Sequence, residues 1–240
     1  MNIILFDALN TDNFLPRSDY RAQHIKKVLR LSEGDRFTAG IINGVKGEAT
    51  IASSTAEGIT FSFTPGGEAP VALYPVTLLV AQVRPISMRR ILREAVSLGV
   101  GEIILASCDT GERSYREAKL YESGEYRSIL IDGAMQSGET GVPPVHFASS
   151  IEAAIARAPD GGQPIVLDNK QAGSALSQME IDGRRAVVLA IGGERGFSDR
   201  EREIFASHGF RFATLGRRIL RTETAVSAGV AVLLGRMGLL

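Results

Sequence analysis

Cysteine is nearly absent. Cys108 stands alone in 240 residues, which excludes an internal disulfide and any multi-cysteine metal site and fits a reducing compartment. Net charge is absent too: 27 Lys and Arg face 27 Asp and Glu, so the chain is not a uniformly basic nucleic-acid coat. Long apolar runs are missing. The greasiest stretches, Val71–Val83 and Val226–Leu240, are interrupted by Pro75, Thr77 and Gln82 and by Ser227 and Arg236. Neither supplies the ~20 apolar residues that span a bilayer. The start, MNIILFDALNTD, has neither the basic n-region nor the apolar core of an export signal. A cytoplasmic protein with no membrane attachment is expected.

Several chemical devices are also missing. No G-x-G-x-x-G, G-x-x-x-x-G-K-[ST] or G-x-S-x-G occurs, so dinucleotide, P-loop and hydrolase-elbow readings lack their glycines and nucleophile. His24, His146 and His208 lie in separate segments without metal-ligand spacing and read as structural or solvated. No metal is expected. Cys108 follows a strand and reads as a small buried residue.

What is present begins with size and pattern. A chain of 240 residues makes one large domain or two unequal ones. Hydrophobic residues are 44% and charged residues 22% of it, which fits a packed fold rather than disorder. Thr64–Pro70, TPGGEAP, packs two Pro and two Gly into seven residues and reads as a linker or tight turn. Before it, short apolar runs recur between turn signals (Ile3–Phe6, around Phe37, around Ile51 and Ile59–Phe63), which predicts a small antiparallel β domain. One helix interrupts it, with Ser18 as the expected cap and Ile25, Val28 and Leu29 on one face.

Beyond the break, strands apolar throughout alternate with helices: Val76–Ala81, a helix through Ile91, Leu92, Ala95 and Leu98, then EIILAS, a polar helix over Tyr115–Ala134 and another over Ile151–Ala158. PIVLD, AVVLAI and FRFATL follow, with a helix around Asp199–Ser207 and a closing helix over Thr222–Met237. That alternation predicts an α/β domain with a parallel sheet covered on both faces.

Basic residues are gathered rather than spread. Arg17, Arg21, Lys26, Lys27, Arg30 and Arg36 form one group, Arg84, Arg89, Arg90 and Arg93 another, and seven Arg between Arg195 and Arg221 a third. These segments are either ordinary solvated faces or one basic face offered to a polyanion.

Two clusters stand where chemistry is expected in such a sheet, at the carboxyl ends of strands. Gly192-Gly193-Glu194-Arg195-Gly196-Phe197-Ser198 follows AVVLAI. Its glycines bring bare backbone close to a ligand, or else simply make a tight turn with Ser198 or Asp199 capping the next helix. Leu215-Gly216-Arg217-Arg218-Ile219-Leu220-Arg221-Thr222-Glu223-Thr224-Ala225 also leaves a strand and enters a helix, with Thr222 or Thr224 as the expected cap. Helix capping accounts for its Thr and Glu, but not for three Arg beside apolar residues.

These two clusters together resemble the RsmE family of ribosomal RNA methyltransferases, whose loops read I-G-P-E-G-G-F and L-G-x-R-I-L-R-x-E-T-A. The likeness extends along the chain. His24-Ile25-Lys26-Lys27-Val28-Leu29-Arg30 with Gly34-Asp35 resembles the family's H-x-x-x-V-L-R…G-D, Leu98-Gly99-Val100 its E-L-G-V, and Gln136-Ser137 with Pro143 its Q-S…P. The resemblance implies methylation of N3 of a uridine in the decoding region of 16S rRNA, with S-adenosylmethionine as cofactor. It implies a PUA-like RNA-binding β-barrel domain over 1–68 and a SPOUT domain with a trefoil knot over 72–240. A homodimer acting on 16S rRNA or the small ribosomal subunit is also implied.

Carried over residue by residue, the cofactor would be held by Leu167, Gly192, Gly193, Glu194, Gly196, Leu215, Gly216, Ile219, Leu220 and Thr224. RNA would be bound by His24, Lys26, Lys27, Arg30 and Arg195. Arg221 would orient the base or stabilise its negative charge, and Glu223 would take a proton or hold Arg221. Three departures from the pattern bear on the RNA target. Gly193 and Arg195 replace a Pro and a Gly of the loop, Ser97 replaces the Glu of E-L-G-V, and Glu139 and Thr140 stand where an Arg is common. They leave open methylation of another RNA position, or a ribosome-binding relative without cofactor.

Overall fold

Alternation in Gly58–Pro65 puts Ile59, Phe61 and Phe63 on one buried face, and Phe6 and Phe37 pack tilted against Phe61 at centroid distances of 5.4 and 5.5 Å. This is the core of the first of two units into which the chain divides. The structure, a computed structural model, describes residues 2–171 and 173–240. The first unit holds the residues up to Ala72 together with Ala134–Val142, and the second holds Leu73–Gly133 and Pro143–Leu240.

The first unit contains β1 (Ile4–Phe6), β2 (Asp12–Pro16), α1 (Tyr20–His24), a π-helical turn (Ile25–Leu29), β3 (Arg36–Ile41), β4 (Lys46–Ser54) and β5 (Gly58–Pro65). Their sheet order is β1-β3-β4-β5-β2. The expectation of a purely antiparallel sheet is corrected at one pair: β1 runs parallel to β3, Ile4 opposite Ala39. A parallel pair needs a crossover, and the stretch through β2 and α1 provides it. The helix cap is corrected as well. Asp19, not Ser18, caps α1, its carboxylate accepting from the Arg21 N–H at 2.8 Å, because the carboxylate also holds the Arg21 guanidinium at 2.7 Å. Ala134–Val142 completes this unit. Asn2 and Ile3 N–H donate to the Met135 carbonyl at 3.0 and 3.3 Å, and the Thr140 hydroxyl donates to the Gly44 carbonyl at 2.8 Å.

The second unit contains β6 (Tyr74–Ala81), α2 (Pro85–Ser97), β7 (Val100–Ala106), α3 (Arg113–Arg116), α4 (Lys119–Glu122), α5 (Glu125–Ser137), β8 (Val145–Ala148) and α6 (Ile151–Arg157). It continues with β9 (Gln163–Leu167), β10 (Ser174–Ala175), β11 (Val187–Ile191), α7 (Asp199–Ser207), β12 (Arg211–Thr214) and α8 (Thr222–Met237). The sheet is parallel throughout, in the order β10-β12-β9-β11-β6-β7-β8. All five residues of β11 are buried, as a strand covered on both faces must be. The one polar helix expected over Tyr115–Ala134 is three pieces, and Gly124, at φ +74°, separates α4 from α5.

Two helix starts frame the site. Ser198 caps α7 in a capping box with Glu201, each side chain meeting the other's backbone N–H. The cap expected for α8 is corrected: Arg221 occupies that position without a side-chain bond, and Thr222 is already the first helical residue, buried at 5% exposure.

Candidate functional site

Strands β9, β11 and β12 lie close together in the sheet, so the loops leaving their carboxyl ends converge. Between them is a cleft of about 290 Å³ with apolar walls from Leu167, Ile191, Leu215, Ile219 and Leu220. Gly192, Gly193, Glu194 and Gly196 line it as well, so eight of the ten residues that the resemblance assigns to the cofactor are brought together. Gly216 sits in the same loop at φ +122°, its N–H bonded to the Thr214 hydroxyl at 3.1 Å. Thr224 is on the exposed side of the first turn of α8, while Thr222 and Ala225, one helical turn apart, face the cleft.

The glycine loop is both a tight turn and an open wall. Gly196, at φ +68°, donates its N–H to the Gly193 carbonyl at 2.9 Å. A Cβ on Gly192 would lie 3.0 Å from the Gly196 Cα and 3.2 Å from the Phe197 nitrogen, tight against the loop's own backbone. From across the sheet, the Thr110 hydroxyl donates to the Gly196 carbonyl at 2.7 Å. The Glu194 carboxylate is held by Arg84 at 3.0 Å and by the Tyr115 hydroxyl at 3.4 Å. Arg195 is exposed at the rim of the cleft.

A groove of about 560 Å³ adjoins the cleft and shares Glu194, Ile219, Leu220 and Thr222 with it. Arg221 and Glu223 line this groove rather than the cleft, together with Arg84 and Arg90. Glu223, whose side chain is 14% exposed, faces the Arg90 guanidinium at 3.7 Å. Ile86 and Ile219 add exposed apolar surface. Cationic and apolar groups therefore share one surface beside the cleft.

Sequence reasoning missed the groups that hold these loops. Asp168 and Arg202 form a buried ion pair, Nε to Oδ2 at 2.9 Å. Glu201, fully buried, accepts from the backbone N–H groups of Asp109 and Ser198 at 2.8 and 2.7 Å. Arg200 grips both oxygens of Asp109 and the Glu152 carboxylate, and this pairing holds the Asp109 carboxyl below the usual range. The only hint in the sequence is that three charges, Arg200, Glu201 and Arg202, stand on a helix that also needs a buried face. Cys108 lies behind the loop, 3.8 Å from where a Gly193 Cβ would be, and burial pushes its thiol up.

The remaining sequence candidates lie in the first unit. His24 ends α1. Its Nε2 is buried with no hydrogen-bond partner among the described residues, and burial lowers its pKa. Lys26 donates to the Thr55 carbonyl at 2.7 Å, while Lys27 and Arg30 are exposed. Both residues of one departure have structural duties there: Glu139 pairs with Lys46 at 3.2 Å, and Thr140 is buried at 2% exposure against Gly40. Ser97 donates to the carbonyls of Arg93 and Gly133 at 3.0 and 3.2 Å. Among the described residues no group of three or more His, Cys, Asp or Glu is placed to hold a metal ion, and no helix is long and apolar enough to cross a membrane.

Comparison with known proteins agrees with this geometry. Residues 70–234 match the RNA methyltransferase domain family, and residues 19–64 match the RNA methyltransferase PUA domain. Ribosomal RNA small subunit methyltransferase E of Treponema pallidum is 38% identical over 98% of this chain and 91% of its own length. A Borreliella burgdorferi protein named ribosomal RNA small subunit methyltransferase E 1 is 27% identical over 95% of both chains. The crystal structure of the Neisseria gonorrhoeae ribosomal RNA small subunit methyltransferase E, bound to S-adenosyl methionine, superposes with a TM-score of 0.82 at 22% identity, covering 98% of this chain and 97% of that one. A Legionella pneumophila methyltransferase in complex with the same cofactor gives 0.83 at 22% identity, with the same coverage. The fold is thus that of an α/β methyltransferase with an N-terminal PUA domain. By a family match over most of its length and a relative more than one-third identical from end to end, the chain belongs to the ribosomal RNA small subunit methyltransferase E family.

Proposed function

We propose that this chain methylates N3 of a uridine in the decoding region of 16S ribosomal RNA, with S-adenosylmethionine as methyl donor, as a cytoplasmic homodimer. The observation that carries the reading is the cleft at the ends of β9, β11 and β12, lined by the bare backbone of Gly192, Gly193 and Gly196. The residues fit the cofactor. Leu167, Leu215, Ile219 and Leu220 offer apolar contact to an adenine ring, and the bare backbone of Gly192–Gly196 offers polar groups to the rest of the molecule. Leu167, Gly192, Gly193, Glu194, Gly196, Leu215, Gly216, Ile219 and Leu220 would hold it. Thr224, exposed on the first turn of α8, lines neither the cleft nor the groove. The trefoil threading of the chain and the completion of the site by a second copy belong to the same reading.

When bound, the cofactor supplies a methyl group on a sulfonium. The chain's own tasks are then alignment and charge. The target uracil occupies the groove beside the cleft, where Arg221 turns N3 toward the methyl group and offsets the negative charge that develops as the N3 proton leaves. Glu223, kept in place by Arg90 at 3.7 Å, accepts that proton. Arg195 at the rim, and Lys26, Lys27 and Arg30 on the first unit with His24 beneath them, take RNA phosphates.

Calorimetric titration with S-adenosylmethionine and S-adenosylhomocysteine tests the cofactor site, and mapping of methylated nucleotides in small-subunit RNA tests the target. Binding of both ligands and a single N3-methyluridine are expected. A folded chain that binds neither ligand at millimolar concentration would overturn the reading in favour of a ribosome-binding protein, and methylation elsewhere would overturn the assigned position. Arg221→Ala should lower the rate of methyl transfer at least about a hundredfold with cofactor affinity nearly unchanged.

A further inference from the structure

One ion pair of the second unit is buried on both sides and lies at the cleft without being part of any expected site. The side chains of Asp168 and Arg202 are 3% and 4% exposed, and Arg202 lines the cleft. Each partner is tied to more than the other. Asp168 Oδ1 accepts from the backbone N–H groups of Lys170 and Gln171 at 2.7 and 2.9 Å, which shapes the loop leaving β9. Arg202 donates through Nη1 to Asp199 at 2.7 Å, at the start of α7, and its Nη2 lies 3.8 Å from where a Cβ on Gly196 would be. One salt bridge thus joins the loop after β9 to the first turn of α7, into which the glycine loop after β11 runs directly, and both partners line the cleft.

Burying a charged pair is costly, and for stability alone an apolar pair of similar volume does as well or better. A pair kept at this position has its rationale in geometry. Its directional bonds fix where backbone amides stand, which apolar packing does not do. We propose that Asp168 and Arg202 are positioning residues for the cofactor, holding two of the three cleft loops in the arrangement that receives S-adenosylmethionine before it arrives. The inference rests on the cofactor reading above. Preorganisation of this kind acts on ligand affinity, because loops that are already ordered lose no freedom on binding.

The test is calorimetric titration of S-adenosylhomocysteine into wild type, Arg202→Met, Arg202→Lys and the double variant Asp168→Leu/Arg202→Met, with thermal melting of each. Arg202→Met is expected to weaken binding about tenfold or more, which is about 1.4 kcal/mol. Arg202→Lys, which keeps a charge for Asp168 but loses the fork that also reaches Asp199, is expected to recover part of that loss. The double variant replaces the whole pair with apolar groups and is expected to stay folded where a single variant does not, while still binding about tenfold more weakly. In methyl transfer, the KM for S-adenosylmethionine should rise by the same factor, and the rate at saturating cofactor should change less than about threefold. A folded double variant with wild-type affinity would overturn the positioning role and leave the cofactor reading intact. A wild-type chain that binds no ligand would overturn both.

Discussion

The basic helix of the first unit and the cleft of the second hold their charges in opposite ways. Lys27 and Arg30 stand in solvent beside an exposed Val28. Arg202 is 4% exposed and shared between two carboxylates at 2.9 and 2.7 Å. The first arrangement attracts any polyanion, tolerates rearrangement and weakens with salt. The second recognises by shape, and its charges serve the shape. Under the proposed function, charge gathers the RNA and geometry selects the cofactor.

The largest effect should come from distorting the glycine loop without touching a charge. Gly192→Val puts side-chain atoms within 3.0 Å of the Gly196 backbone, and S-adenosylhomocysteine affinity should fall at least about a hundredfold by calorimetry. RNA binding at low salt should persist. If RNA affinity fell equally, the division of labour between the two regions would be wrong. A smaller effect is expected from the other side. Replacing Lys26, Lys27 and Arg30 together by Gln should lower affinity for small-subunit RNA about tenfold near physiological salt and flatten the slope of log K against log salt by about 2. Cofactor affinity should not move.

The smallest effect concerns His24. Burial lowers its pKa from 6.5, so as the pH falls below that value the unfolded chain takes up the proton before the folded one does. Stability therefore declines through the window just below 6.5 and is independent of this group above it. Urea midpoints at about pH 7.5 and about pH 5.5 should differ less in His24→Gln than in wild type. An equal difference in both would remove His24 from the account.

How much of this was legible in the sequence follows from the range of each interaction. Strand β11 could be read because apolar runs in parallel sheets are local facts, and Ser198 could be read as a cap because its partner Glu201 is three residues away. The glycine loop announced itself for the same reason. Strand β2, DNFLP, could not be read, since it is an edge strand with only Leu15 buried and carries little alternation. The Asp168–Arg202 pair spans 34 residues and the Glu223–Arg90 pair far more, and nothing local distinguishes these charges from solvated ones. Thr140 illustrates the converse. As a departure from a motif it bore on the RNA target, and its packing role, buried against Gly40 and bonded to Gly44, depends on contacts about a hundred residues away.

The return of Ala134–Val142 to the first unit has a consequence for how the chain is made. During synthesis, Ala72 leaves the ribosome on the order of several seconds before Ala134 does, at about 5–20 residues per second. For that interval Asn2 and Ile3 lack the Met135 carbonyl that accepts their N–H groups, and Gly44 lacks its Thr140 hydroxyl. The N-terminal unit is therefore not the first finished part of the chain. It must wait, with those hydrogen bonds unmade, until Val142 has emerged, so the nascent chain passes through a state in which these groups meet water instead of their final partners.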